Sequence, residues 1–356
     1  MRIAIIASPF IPVPPLRYGG TELFIATLVD ALTAKDVDVV VYANGESNIN
    51  AELRWRYPRS DWPLANESAG MTKELDHLSC ALEDAAEDCD IVHVNSALAI
   101  PFSRFTSSRM VYTLHHAYDA ALADLYSQYQ NVSYVAISRN QGSLYPELNL
   151  QAIHHGIDVN QYRLTEKKSG YLSFLGRIAP LKGVHTAIKV AKGAGIPLKI
   201  AGEIQPIFRD YYEAEVKPHI DGRFIEYVGE ADLETKNELL GSSLGMLFPI
   251  QWEEPFGLVV VEAMACGTPV FAFGRGAVHE IVSEGVSGSI CTSVEDMISC
   301  VQRMRFKPRL VRQWVEQNFS ADVMASRYLE LYRSLVEVEE EADLGPTWQE
   351  PGEIAV

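Results

Sequence analysis

The chain has 356 residues, 47% of them hydrophobic and 22% charged, the balance of a globular protein with a sizeable core. That length exceeds what one core usually organises, so two domains are expected. The formal charge, 30 − 47 = −17, repels a phosphate backbone and argues against nucleic-acid binding, so any anionic ligand must be held by local groups.

Arg2 to Ser8 reads as a short buried strand, followed by a Pro-rich loop and Gly19-Gly20. The apolar stretch Ile3 to Ala7 meets Pro9 too soon for a signal-peptide core, and no apolar run approaches the roughly 20 residues that cross a bilayer. A helix follows, with Ile25, Leu28, Val29 and Leu32 on one face and Thr21 placed to cap it. Val37 to Tyr42 is the next strand, and Leu75 to Ala86 a helix. Ile91 to Val94 and Met110 to Leu114 are further apolar runs of strand length. Arg54-Trp55-Arg56-Tyr57 is read as a loop whose rings and cations suit an acceptor. Short apolar runs alternating with helices imply a parallel sheet covered on both faces.

After Gly156-Ile157-Asp158 and the polar stretch Thr165 to Ser169 the same rhythm restarts at Tyr171 to Leu175. Strands at Leu198 to Ala201, Phe224 to Val228, Gly245 to Phe248 and Pro269 to Phe273 alternate with helices near Val184 to Lys192, Asn237 to Leu240 and Leu258 to Ala265. The fold class is therefore α/β, two doubly wound Rossmann-like domains whose strand ends face one central cleft, where open α/β sheets bind ligands. The expected domains are 1–165 and 166–319. Amphipathic helices at Arg309 to Asn318 and Ala321 to Val338 follow, and the one over about 320–340 is expected to pack back on the first domain. An acidic, flexible tail is expected over 341–356.

The five cysteines are scattered and lack CxxC spacing, which points to free thiols in a reducing cytosol. Without an export signal the sequons at Asn66 and Asn131 read as chance matches.

Glu254-Pro255-Phe256-Gly257-Leu258-Val259-Val260-Val261-Glu262 places two carboxylates around a turn that opens a helix. Backbone N–H groups of Phe256, Gly257 and Leu258 stand at that helix start and can bind sugar oxygens or phosphate. Upstream, Gly176-Arg177-Ile178-Ala179-Pro180-Leu181-Lys182-Gly183 carries a guanidinium fork and an ammonium point charge on a loop after a strand, suited to a pyrophosphate. The set points to a sugar nucleotide.

In order and spacing these motifs resemble those of the family 4 glycosyltransferases, retaining enzymes with the GT-B fold, over nearly the whole chain. Glu254 to Glu262 is similar to the family's E-x7-E motif and Gly176 to Gly183 to its Arg/Lys phosphate loop. Glu280-Ile281-Val282 matches its E-I-V, and Gly19-Gly20 its first-domain glycine loop. The resemblance implies that Glu262 accepts hydrogen bonds from the donor ribose, while Glu254 contacts the donor hexose. Arg177 and Lys182 neutralise the leaving diphosphate, and Gly19 and Gly20 admit the transferred group. His115 is implied to lie near the donor sugar, with the adjacent His116 leaving that alignment open by one position.

A metal-independent, front-face transfer of a hexose from UDP- or GDP-hexose to an acceptor hydroxyl follows from the resemblance, with no cofactor. Asp88-Cys89-Asp90 has the spelling of a DxD metal motif but stands away from the donor motifs. The implied enzyme is cytoplasmic, without nucleic-acid partner or stable membrane insertion. Acceptor, donor base and oligomeric state are left open. Other readings are a sugar-nucleotide epimerase, a glycoside phosphorylase or a non-catalytic sugar-nucleotide binder on the same fold. An NAD-dependent oxidoreductase is suggested by Gly274-Arg275-Gly276-Ala277-Val278-His279, which lacks the last glycine of the dinucleotide fingerprint.

Overall fold

The computed structural model of the protein describes residues 1–16 and 19–337, so the tail expected over 341–356 lies outside the described residues. Strands β1 (Arg2–Ile6), β2 (Asp38–Ala43), β3 (Glu52–Trp55), β4 (Ile91–Val94), β5 (Arg109–Leu114), β6 (Ser133–Ala136) and β7 (Leu150–Ala152) form the first sheet. Its order is β3-β2-β1-β4-β5-β6-β7, every pair parallel. Strands β8 (Leu172–Leu175), β9 (Leu198–Ala201), β10 (Ile225–Gly229), β11 (Gly245–Phe248), β12 (Val270–Phe273) and β13 (Gly288–Cys291) form the second, ordered β10-β9-β8-β11-β12-β13 and also parallel. In each sheet the strand order reverses once, between β1 and β4 and between β8 and β11. The crevice at such a reversal, outside the strands' carboxyl ends, is where a doubly wound sheet receives ligands.

Burial on both faces explains the continuous apolar strands. Ile3, Ala4, Ile5 and Ile6 are all buried, with alternate side chains facing opposite helical layers. The edge strand β3 departs from that pattern: Glu52, Leu53, Arg54 and Trp55 alternate in character, and none is buried. The stretch read as an acceptor loop is thus in part an edge strand.

Two helix starts also differ from expectation. The helix Gly20–Thr33 begins at Gly19, so Thr21 lies inside its first turn and caps nothing. The helix Glu67–Asp88 extends well before Leu75, because Asn66 Oδ1 accepts from the Ala69 amide at 3.1 Å and caps polar opening turns that carry no apolar period.

The chain leaves the first sheet after β7 and returns beside the same point, where Ile157 donates to Phe319 O and Ala321 donates to Ile157 O. The helix Ala321–Glu337 then packs on Gly20–Thr33 in the first half, with Tyr328 and Tyr332 buried. A polar chain inside that interface fixes the docking. His93 Nδ1 lies 2.7 Å from Tyr332 Oη, its Nε2 2.8 Å from Thr113 Oγ1, and Thr113 Oγ1 2.9 Å from Tyr328 Oη. Removing the Tyr332 hydroxyl would strand a ring nitrogen of His93, which is 0% exposed. Tyr332→Phe is therefore expected to cost about 1–3 kcal/mol, read as a lower urea midpoint with unchanged slope.

Candidate active site at the carboxyl ends of both sheets

Glu254 lies on the loop between β11 and the helix Leu258–Ala265, whose cap, Gly257, has a left-handed φ of 100°. Its carboxylate is not free. Oε2 sits 2.5 Å from Lys182 Nζ and accepts from Trp252 Nε1 at 3.0 Å, while the Lys182 ammonium stands 4.9 Å from the centre of the Trp252 ring. The phosphate loop and the E-x7-E loop are thus one assembly. Gln251 donates its amide to Leu181 O at 2.7 Å, and Gly183, with φ 76°, presses so closely on Pro249 that an added Cβ would lie 2.0 Å from its carbonyl oxygen. No side chain fits there, and that contact delivers Lys182 to Glu254.

The backbone of Glu254 is clamped from the other side by the loop after β12. Gly276 donates to Glu253 Oε2 at 2.7 Å and Ala277 to Glu254 O at 2.9 Å. A Cβ on Gly276 would meet Glu254 O at 2.2 Å. Of the glycines that resembled a dinucleotide fingerprint, Gly276 therefore serves close packing against the Glu254 loop, while Gly274 makes room for His279.

Arg177 is half-buried at the end of β8, and among the described residues its guanidinium has no ion-pair or hydrogen-bond partner. The amides of Phe256, Gly257 and Leu258 likewise donate to no group among the described residues. A fork of donors, an ammonium and a helix start thus stand on loops that follow the paired strands β8 and β11, an arrangement suited to a diphosphate.

Glu262 is 2% exposed, on the same helix. Its Oε1 accepts from Tyr162 Oη at 2.9 Å and from Lys236 Nζ at 2.8 Å, whereas Oε2 is buried with no partner among the described residues. A buried carboxylate with one satisfied oxygen retains acceptor capacity for a hydroxyl. Tyr162 and Lys236 were not singled out from sequence.

On the first half, Gly19 stands where a Cβ would crowd Pro15 Cβ at 2.7 Å and Glu22 Oε2 at 2.8 Å, so its own loop demands the glycine. A Cβ on Gly20 would meet nothing within 4 Å. The two adjacent histidines after β5 point apart. His115 Nε2 pairs with Asn95 Oδ1 at 2.8 Å, and its ring packs on Phe24 and stacks on His155 at 5.5 Å. His155 in turn meets the edge of Phe256, so His115 is the histidine linked to the E-x7-E loop. His116 turns away, to Ala117 O and Tyr126 Oη. Burial, then the neighbouring His155, His93 and His116, hold His115 well below the ordinary imidazole range, and burial followed by His154 pushes His155 down to about 3. Both rings are neutral. His155 was not anticipated, although His154-His155-Gly156 was visible where the chain leaves the first sheet.

Arg54 and Arg56 do not present free cations. Arg54 pairs with Glu52, Asp84 and Asp88, and Arg56 with Asp76, which also accepts from Tyr57 Oη at 2.6 Å. Trp55 is 54% exposed at the mouth of an open groove of about 410 Å³ that is also lined by Tyr42, Arg54, Arg56 and His77. Asp88 and Asp90 of the DxD spelling are engaged by Arg54 and by the Arg2 amide.

Glu280, matched from sequence without a role, joins the halves. It accepts from the Arg139 amide and His154 Nε2, both at 2.8 Å, and from the Asn140 amide at 2.7 Å.

Comparison with known proteins agrees with this geometry. Residues 18–161 match the model described as Glycosyltransferase Family 4, and residues 159–306 that described as Glycosyl transferases group 1. The chain is 24% identical to a glycogen synthase of Mycobacterium tuberculosis over 93% of this chain and 94% of that one. Among solved structures, sucrose-phosphate synthase of Thermosynechococcus elongatus superposes with a TM-score of 0.75 at 19% identity, covering 94% of this chain and 98% of the other. Anabaena HepE in complex with UDP-glucose gives 0.69 at 19% identity, covering 94% and 100%. With both halves matched in sequence, and with the phosphate loop joined to the E-x7-E loop at the carboxyl ends of β8 and β11 in a GT-B fold, the chain belongs to the family 4 glycosyltransferases.

Proposed function

We propose that the protein transfers a hexose from a nucleoside-diphosphate hexose to an acceptor hydroxyl, with retention of configuration and without a metal. The observation that carries this reading is the contact of Lys182 with Glu254, on the loop that leads into the free amides of Phe256 to Leu258. Arg177 and Lys182 neutralise the departing diphosphate, a charge that grows as the bond to the sugar breaks. Glu254 orients the hexose, and Glu262 takes a ribose hydroxyl on its unpaired oxygen. The acceptor oxygen attacks from the face the diphosphate leaves, and its proton passes to a departing phosphate oxygen. Neutral His115 lies at the donor sugar on the first half.

UDP-hexose is the favoured donor, supported by the UDP-glucose bound to HepE, with GDP-hexose as the alternative. The acceptor approaches over the first half, where Arg54, Trp55 and Arg56 edge the groove and where paired cations favour hydroxyls over a free phosphate. Cytoplasmic residence is in keeping with free Cys80, Cys89, Cys266, Cys291 and Cys300, and among the described residues no helix is long and apolar enough to cross a membrane.

Calorimetric titration with UDP, GDP, ADP and NAD, in chelator, tests the reading. Saturable binding of one diphosphate and not of NAD is expected. Binding of NAD alone, or a strict need for a divalent cation, would overturn the proposal.

A further inference from the structure

Glu280 belongs to the second half by chain position but is satisfied by the first. It sits in the short turn of helix Val278–Ile281 after β12, while Arg139, Asn140 and His154 follow β6 and β7. Three hydrogen bonds of 2.7–2.8 Å converge on its two oxygens, and its side chain and that of His154 are 14% and 10% exposed. Burial alone would raise the carboxyl, yet the hydrogen bonds from His154 and the two amides hold it below the ordinary range, so the ionised form is the one this contact selects. Separating the halves would cost Glu280 all three partners at once.

The same turn holds the Glu254 loop. Glu280 and Ile281 donate their amides to Ala277 O at 2.9 and 3.1 Å, which ties the carboxylate's position to Ala277. Ala277 N in turn donates to Glu254 O, and the adjacent Gly276 leaves no space for that backbone to shift toward it. A displacement of the first half is therefore passed through a few bonded residues to Glu254 and, through its carboxylate, to Lys182.

We infer that Glu280 is a positioning residue that couples closure of the two halves to the placement of Glu254. The inference rests on the proposed role of Glu254 at the donor hexose. Closure by this contact sets the hexose-facing carboxylate, whereas the diphosphate subsite of Arg177 and the helix amides lies wholly within the second half and forms without it.

The test uses the full chain and needs no acceptor. UDP, GDP and ADP are titrated, the corresponding glucose nucleotide is followed for slow hydrolysis, and the radius of gyration is measured with and without the diphosphate. Glu280→Ala is expected to bind the diphosphate within about threefold of wild type and keep KM within the same margin. Its kcat should fall at least about tenfold, since misplacement by an ångström is enough for such a loss. The variant should also show a larger radius of gyration than wild type, with and without the diphosphate. Glu280→Gln, which keeps the volume but replaces one acceptor by a donor, decides by the same criteria if the alanine variant fails to fold. A kcat within twofold of wild type, or diphosphate affinity lost in step with kcat, would overturn the inference while leaving the transferase reading intact. Wild type that binds no diphosphate would remove that reading, and the inference with it.

Discussion

Glu254→Ala is expected to reduce turnover of the sugar nucleotide by about a thousandfold while leaving diphosphate affinity unchanged or tighter, the scale seen when one preorganised transition-state contact is removed. Affinity should hold because Glu254 meets the proposed diphosphate path only at Lys182, which it occupies at 2.5 Å. A diphosphate entering the wild-type site competes with that carboxylate for the ammonium, and the alanine variant removes the competitor. Glu262→Ala should do the reverse. Its Oε1 is committed to Tyr162 and Lys236, and its unpaired Oε2 is the acceptor offered to ribose. Losing a charge-assisted hydrogen bond is worth about 1.5–3 kcal/mol, or roughly tenfold to a hundredfold in diphosphate affinity. Calorimetry with the diphosphate and initial rates with the sugar nucleotide separate the two variants. Equal loss of diphosphate binding in both would defeat this division of roles.

What could be read in advance follows from how locally each feature is specified. β9, β11 and the helix Leu258–Ala265 match the expected bounds because mostly apolar runs set off by glycine or proline leave little choice. β3 was missed since an edge strand, exposed on one side, needs no apolar run. Arg177, Lys182, Glu254 and Glu262 were legible as charges beside glycines at strand ends. Their partners were not. Lys236 and Tyr162 reach Glu262 from 26 and 100 positions away, and His154 reaches Glu280 from 126, through contacts that no local pattern encodes. The same limit made Arg54 and Arg56 look available: the carboxylates that occupy them come largely from the neighbouring helix Glu67–Asp88.

Stability should fall steeply between pH 6.5 and 5, because in the first half burial holds three imidazoles far below their ordinary range and lowers a fourth, His77. His93 and His155 are pushed down to about 3 and His115 well below the ordinary range, in each case by burial first. His93 is stacked on Tyr328 at 5.3 Å and bonded at both nitrogens, and His155 lies against His115, so a proton on any of these rings would place a cation among apolar and imidazole neighbours. The unfolded chain takes up those protons near pH 6.5 and the native chain does not, so a folded pKa below the unfolded one removes stability as pH falls through the unfolded value. Each ring contributes a slope of about 1.4 kcal/mol per pH unit, and the three together about 4. Glu22 and Glu74, whose carboxyls are raised chiefly by burial, act in the opposite sense, since their native forms gain on protonation. Their window opens upward from the ordinary carboxyl range, so they blunt the loss only toward its acid end. Against a typical stability of about 5–15 kcal/mol the histidine term is large enough to unfold the chain within roughly two or three units below pH 6.5. Urea midpoints at pH 7.5, 6.5 and 5.5 measure it: a loss of about 1 kcal/mol over the first interval and about three times that over the second are expected. A flat profile would mean that water reaches these rings in the native state. His155→Asn should flatten the acid limb by about a third, which assigns the slope to the stacked histidines rather than to surface ion pairs.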